Sequence, residues 1–266
     1  MIFKYLKEKW ISYRYRFVPW IILNLKDRKV RKVDKGQNDK LILDDHVLKF
    51  FTGFFIQLNY TTESYTNTDF KHVNKKNLDI MKNHLGFITE RRPSLLPLGG
   101  LGVFVTQGHV EPGTIVSMYP GTIYQQYEPV LLQSFANPFI FRCIDGILID
   151  GNDKNLSKAI FRSCCQRDRL GPYLTSDMSW LTPFPVNPLA VGQYVNNQSS
   201  VHPANVAYQE FDVPLDFPFH LRKFIPNIFY SSSEDEQKHT RVVVLVSLRH
   251  ITEGEELFSS YFTVVH

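Results

Sequence analysis

Between His46 and Leu58 the chain places Val47, Leu48, Phe50, Phe51, Phe54, Phe55 and Leu58 at helical spacing on one wide face, which predicts a buried helix. Asp44 and Asp45 stand just before it, and short carboxylates there are expected to cap free amide groups. Thr61 to Asp69 reads as a loop, and Asn77 to Leu85 as a further short helix stopped by Gly86. Past Gly86 the period changes to that of strands. Gly102 to Thr106 and Thr114 to Tyr119 are expected strands, punctuated by Gly108 and Pro112-Gly113. Phe139 to Cys143 and Ile147 to Asp150 flank Asp145-Gly146, which predicts a hairpin with a two-residue turn. Arg241 to Leu248 is apolar enough to be a fully buried strand. Many short strands with few helices point to an α+β, β-rich body.

The N-terminal end differs from the rest. Met1 to Leu25 mixes aromatic residues (Phe3, Tyr5, Trp10, Tyr13, Tyr15, Phe17, Trp20) with lysine and arginine. A helix through Ile11 is expected, with Pro19 starting or kinking a second one. Up to Val33 ten basic residues face only Glu8 and Asp27, whereas the whole chain has a net charge of +4. A basic arm therefore precedes a mildly acidic body. Such an arm suits an anionic surface or a mitochondrial-type presequence. It equally suits a helix docked on the body with a solvated basic face, the reading favoured by Glu8 and the aromatics. Asp27 to Lys40 is polar and reads as a linker.

Three cysteines, Cys143, Cys164 and Cys165, make no disulfide framework, and no CxxC or HxxxH spacing offers a structural zinc site. The expectation is an intracellular protein without bound metal, with nucleus, cytoplasm and mitochondrion left open. No apolar run reaches the roughly 18–20 residues that span a bilayer. Asp150-Gly151-Asn152-Asp153 begins like a calcium loop, but Lys154 takes a ligand position and no glutamate closes it. No nucleic-acid-binding motif is present in the body.

Three separated segments carry a resemblance. The first is Gly100-Leu101-Gly102-Val103-Phe104 with the later Tyr119-Pro120-Gly121. The second is Gly192-Gln193-Tyr194-Val195-Asn196-Asn197, followed by Pro203-Ala204-Asn205-Val206-Ala207-Tyr208. The third is Gly254-Glu255-Glu256-Leu257-Phe258-Ser259-Ser260-Tyr261. In order and spacing they resemble the SET family of protein-lysine methyltransferases. The resemblance implies a SET fold of short strands in small sheets with a knot-like C-terminal crossing. It divides the chain into a basic, helical extension (1–84) and a SET domain (85–266) with an insertion at about 151–189. It also implies S-adenosylmethionine as cofactor and a protein or peptide presenting lysine as partner.

By the same resemblance Tyr119, Tyr208 and Tyr261 are the catalytic, channel-lining residues. Gly100, Leu101, Gly102, Tyr194, Asn196, Asn197 and Tyr261 hold the cofactor. Glycine would let backbone approach it with no Cβ in the way. Hydroxyl-bearing aromatic walls exclude water, hold an alkyl stem and orient an amine. They also restrict room, so monomethylation is expected. The chain departs from the family's pattern at Gln193, where arginine is usual, at Asn197, where histidine is usual, and in a longer loop before Pro203. The cysteine cluster or helix that closes the channel in many members has no counterpart after Tyr261. The insertion either supplies that wall or is a surface excursion with solvated charges. Two functions follow: a lysine methyltransferase, or a SET-fold binding scaffold with little catalysis.

Overall fold

The computed structural model describes residues 40–61, 69–97, 99–171, 173–231 and 239–260. Helix α1 (Asp44–Thr61) buries Val47, Phe51, Phe54, Phe55 and Leu58 completely. Asp44 and Asp45 do not precede the helix; they form its first turn, where acidic side chains favour the positive end of the helix dipole. The first free amides, of His46 and Val47, go to the Leu43 carbonyl. Helix α2 (Phe70–Leu85) starts a full seven residues before the expected Asn77. Asp69 caps it by accepting from the Lys71 amide, and Gly86 ends it in the left-handed region at φ 84°. Its buried face carries Asn74 and Asn77 where apolar residues would signal a helix. Their side-chain amides donate to the Pro185 and Val186 carbonyls at 2.7 and 2.6 Å.

Strands β1 (Phe87–Pro93) and β2 (Leu101–Gly108) form an antiparallel pair, of which β1 gave no signal in the sequence. Strands β3 (Ile115–Tyr119), β7 (Asn196–Asn197), β8 (Val206–Val213), β10 (Thr240–Ser247) and β11 (Phe258–Ser259) make a sheet in the order β3-β10-β8-β11-β7. Strands β4 (Gly121–Tyr124), β5 (Ile140–Arg142), β6 (Leu148–Asp150) and β9 (Asn227–Phe229) make another, in the order β5-β6-β4-β9. The hairpin at Asp145-Gly146 forms, but with a three-residue loop. Cys143 and Ile147 still pair, the Gly146 amide closes a turn onto the Cys143 carbonyl, and Gly146 takes φ 88°.

β10 is the centre of the core, with Val242 to Val246 fully buried between β3 and β8. Helix α1 joins the same core through Phe51 on Phe211 (ring centroids 5.9 Å apart) and Phe55 on Phe224 (5.6 Å). The insertion is folded, not a solvated excursion. Helix α4 (Asn155–Arg167), which follows the short α3 (Leu131–Ser134), packs with Trp180, Leu181 and Ile228 in a second small core. After β10 the chain runs along β2, with Gly254 N–H on the Val105 carbonyl and Leu257 N–H on the Val103 carbonyl. It then enters as β11, parallel to both neighbours, between β7 and β8. Those two strands are consecutive in the chain, so their connection passes across β11. This is the knot-like crossing, and it joins all three motif segments.

Candidate active site

The Gly192–Tyr194 3-10 helix leads directly into β7 of the crossing. On one side is an aromatic cluster built from β3, β5 and β8. Tyr208 lies 4.9 Å from Phe141 and 6.3 Å, edge-on, from Tyr119, and Tyr119 lies 5.3 Å from Phe141. Tyr119 is 4% exposed and Tyr208 7%, while Phe141 at the edge of the cluster is half-buried. The Tyr119 hydroxyl donates to the Phe139 carbonyl at 2.7 Å, and the Gly151 amide donates to the same oxygen. Gly151 has to be glycine: a Cβ there would stand 2.8 Å from the Tyr119 ring and 3.1 Å from Gln193.

Tyr194 links this cluster to the other side. Its ring meets Phe139 at 5.8 Å, the Arg91 guanidinium lies 5.0 Å over it, and its hydroxyl donates to Asp153 at 2.7 Å. Burial, reinforced by the bond to Asp153, pushes the phenol well above its ordinary value, so Tyr194 is a neutral brace.

The second cluster joins Gly100, Leu101 and Gly102 to Asn196. Asn196 Nδ2 lies 3.0 Å from the Leu101 carbonyl, 3.1 Å from Ser94 Oγ and 3.1 Å from Glu256 Oε1. Gly102 makes room for the protein's own carboxylate: a Cβ there would stand 2.0 Å from Glu256 Oε1. Gly100 is different. It takes φ 66°, and among the described residues nothing lies within 4 Å of where its Cβ would be. Leu101 is 41% exposed beside it, and Asn197 is exposed on β7, with its backbone paired to Ser259. Asn205 pins the crossing, donating to the Glu256 carbonyl and accepting the Phe258 amide at 2.9 and 2.8 Å.

The structure thus brings Tyr119 and Tyr208 together, and Gly100 to Gly102 with Asn196, with Tyr194 between the clusters. Tyr261 falls in 261–266, outside the described residues, as does the basic arm (1–39). Sequence reasoning missed Glu256, Ser94, Arg91, Asp153, Phe139 and Phe141. Glu256 carried a signal, an acid directly before the apolar Leu257-Phe258 inside the third motif segment. Away from the site, Cys143, Asp145 and Glu210 bring their ligand atoms within 4.8 Å of one another. Arg241 engages that group, at 2.9 Å from Asp145 and 2.6 Å from Glu210, and burial holds the Cys143 thiol protonated. It is an ion-pair network.

SET domain-containing protein 9 of Homo sapiens is 48% identical, covering 97% of this chain and 96% of that protein. The chain belongs to the SET-domain family. The protein of the same name from Pongo abelii is 58% identical over 70% of this chain and 68% of its own. A scan of protein-family profiles finds no match. Among solved structures, ctPRC2 in an autoinhibited conformation bound to S-adenosylmethionine matches at 14% identity with a TM-score of 0.35. A humanized mutant of the Chaetomium thermophilum Polycomb Repressive Complex 2 bound to an inhibitor matches at 15% identity, also with a TM-score of 0.35. They cover 66% and 65% of this SET-domain chain, which spans only 15% of each of theirs. At that distance the family assignment rests on the curated relatives.

Proposed function

We propose that this SET domain transfers a methyl group from S-adenosylmethionine to the ε-amine of a lysine in a protein. The observation that carries the reading is the convergence of three separated segments, Gly100 to Gly102, Tyr194 to Asn197 and Glu255 to Ser259, on one crossing beside a buried tyrosine pair. The residues present fit the cofactor: among the described residues Gly100 offers an open backbone edge, with exposed Leu101 beside it and exposed Asn197 on the crossing. The cofactor supplies a methyl on a sulfonium, so the nitrogen–carbon bond forms as the carbon–sulfur pair returns to a thioether sulfur.

The chain's own residues supply placement and an apolar surround. A lysine ε-ammonium has to lose its proton before it can attack, and an apolar surround such as Tyr119, Tyr208 and Phe141, with both tyrosines buried, lowers its pKa. The Tyr119 proton is committed to the Phe139 carbonyl, so toward an amine this phenol oxygen acts as an acceptor. Tyr261, by family resemblance, brings the third hydroxyl. Bulky aromatic walls restrict room around the amine, which favours the monomethyl product. Free, buried Cys143, Cys164 and Cys165 suit a reducing compartment.

One observation favours a second reading, a SET fold kept as a binding scaffold. Gln193, where the family has arginine, is 4% exposed with both amide atoms unpaired among the described residues. Such a buried polar group weakens the crossing. Titration calorimetry of the full-length chain with S-adenosylmethionine separates the two. Binding, with turnover lost in Tyr261→Phe at an unchanged melting temperature, is expected. No heat at near-millimolar ligand sinks the enzyme reading.

A further inference from the structure

Glu256 is only 2% exposed, yet it ends in a full carboxylate. Oε1 accepts from the Ser94 hydroxyl at 2.7 Å and from Asn196 Nδ2 at 3.1 Å, and Oε2 accepts from the Leu95 amide at 2.7 Å. Both oxygens of the carboxylate thus serve as acceptors. Among the described residues these three donors are its side-chain partners, and none is a lysine or arginine.

Through those bonds one anion holds three pieces of chain. The turn from Ser94 to Gly100 is closed by its own bonds, Ser94 N–H to the Gly100 carbonyl and Gly99 N–H to the Leu96 carbonyl, both at 2.9 Å. Glu256 takes hold of that turn at Ser94 and Leu95. It fills the space beside Gly102, where any side chain would displace it. It also grips Asn196, which in turn holds the Leu101 carbonyl. The left-handed backbone of Gly100 is therefore set in place by Glu256 from behind. A buried anion met by dipoles and not by a cation also leaves a negative potential at that edge, little screened by water.

We propose that Glu256 is the positioning residue of the cofactor edge, and that its charge makes this edge prefer a cationic sulfonium to a neutral thioether. The assignment rests on the methyltransferase reading. In that setting it weakens the hold on the spent cofactor once the methyl group and its charge have gone. Glu256 forms no bond to the reacting atoms; it acts through Gly100, Gly102 and Asn196.

Titration of full-length wild type, Glu256→Gln and Ser94→Ala with S-adenosylmethionine and S-adenosylhomocysteine tests it, with melting curves as the check on folding. Glu256→Gln keeps the shape and removes the charge. It is expected to weaken the sulfonium by about tenfold or more and the thioether by only a few-fold, because only the former senses the charge. Ser94→Ala keeps the charge and loosens the turn, so both ligands should weaken by the same factor. A wild type that binds neither ligand overturns the methyltransferase reading, and the assignment falls with it. Wild-type binding with an unchanged ligand preference in Glu256→Gln overturns the assignment alone. If Glu256→Gln does not fold, unchanged affinities in Ser94→Ala overturn it as well.

Discussion

In the turn before the Ser179–Leu181 3-10 helix, the buried Asp177 accepts the Ser179 and Asn187 amides at 2.7 and 3.1 Å and the Ser179 hydroxyl at 2.5 Å. Those donors favour its charged form, but burial outweighs them and lifts its pKa from 3.8 to about 6. The folded protein then keeps a proton that the unfolded chain has already released. Stability from this group is full below about pH 4 and is lost as pH rises through about 6, by roughly 3 kcal/mol. Denaturant titrations across that window should show the fall in wild type and a flatter profile in Asp177→Asn. At this scale the sequence was legible where a residue type is rare for its surroundings. Gly100 and Gly102 stood out as a pair, yet they serve different ends, one open and one filled by Glu256. Nothing in the sequence tells which, because the filling carboxylate lies more than 150 residues along the chain, against Ser94 and Leu95. Arg91 and Asp153 were invisible for the same reason: each is an ordinary surface-type residue until folding lays it on Tyr194.

Elements with a clean period were read well. The apolar faces of α1 and β10 are continuous, and both form where expected. α2 was read short because asparagine occupies its inward positions, and an amide that bonds a distant carbonyl has no hydropathic signal. β1, Phe87 to Pro93, mixes apolar, acidic and basic residues and is specified by its partner β2. β7 and β11 are two residues each, too short for any pattern, and exist because the crossing holds them. α1 illustrates what such an element contributes. Phe55 is fully buried against Phe51, Phe217 and Phe224. Phe55→Ala should cost about 3–5 kcal/mol, read as a lowered denaturation midpoint, because a void that size does not close.

On the scale of the whole molecule, α1, α2 and the two larger sheets share one hydrophobic core, with the α4 core packed behind β4 and β9. Removing residues 40–85 should therefore leave a chain without cooperative unfolding, measurable by calorimetry, and not an isolated folded SET domain. A sharp transition retained in that truncation would contradict the shared core. The crossing has a further consequence, one of timing. β11 must enter between β7 and β8, about sixty residues earlier in the chain, and the loop closure for so distant a pairing is costly. The ribosome delivers Gly100, Tyr119 and Tyr194 well before it delivers Glu256. The grip of Glu256 on the Ser94 turn and on Asn196 is therefore among the last contacts the chain can make, formed only after the core strand β10 has been delivered.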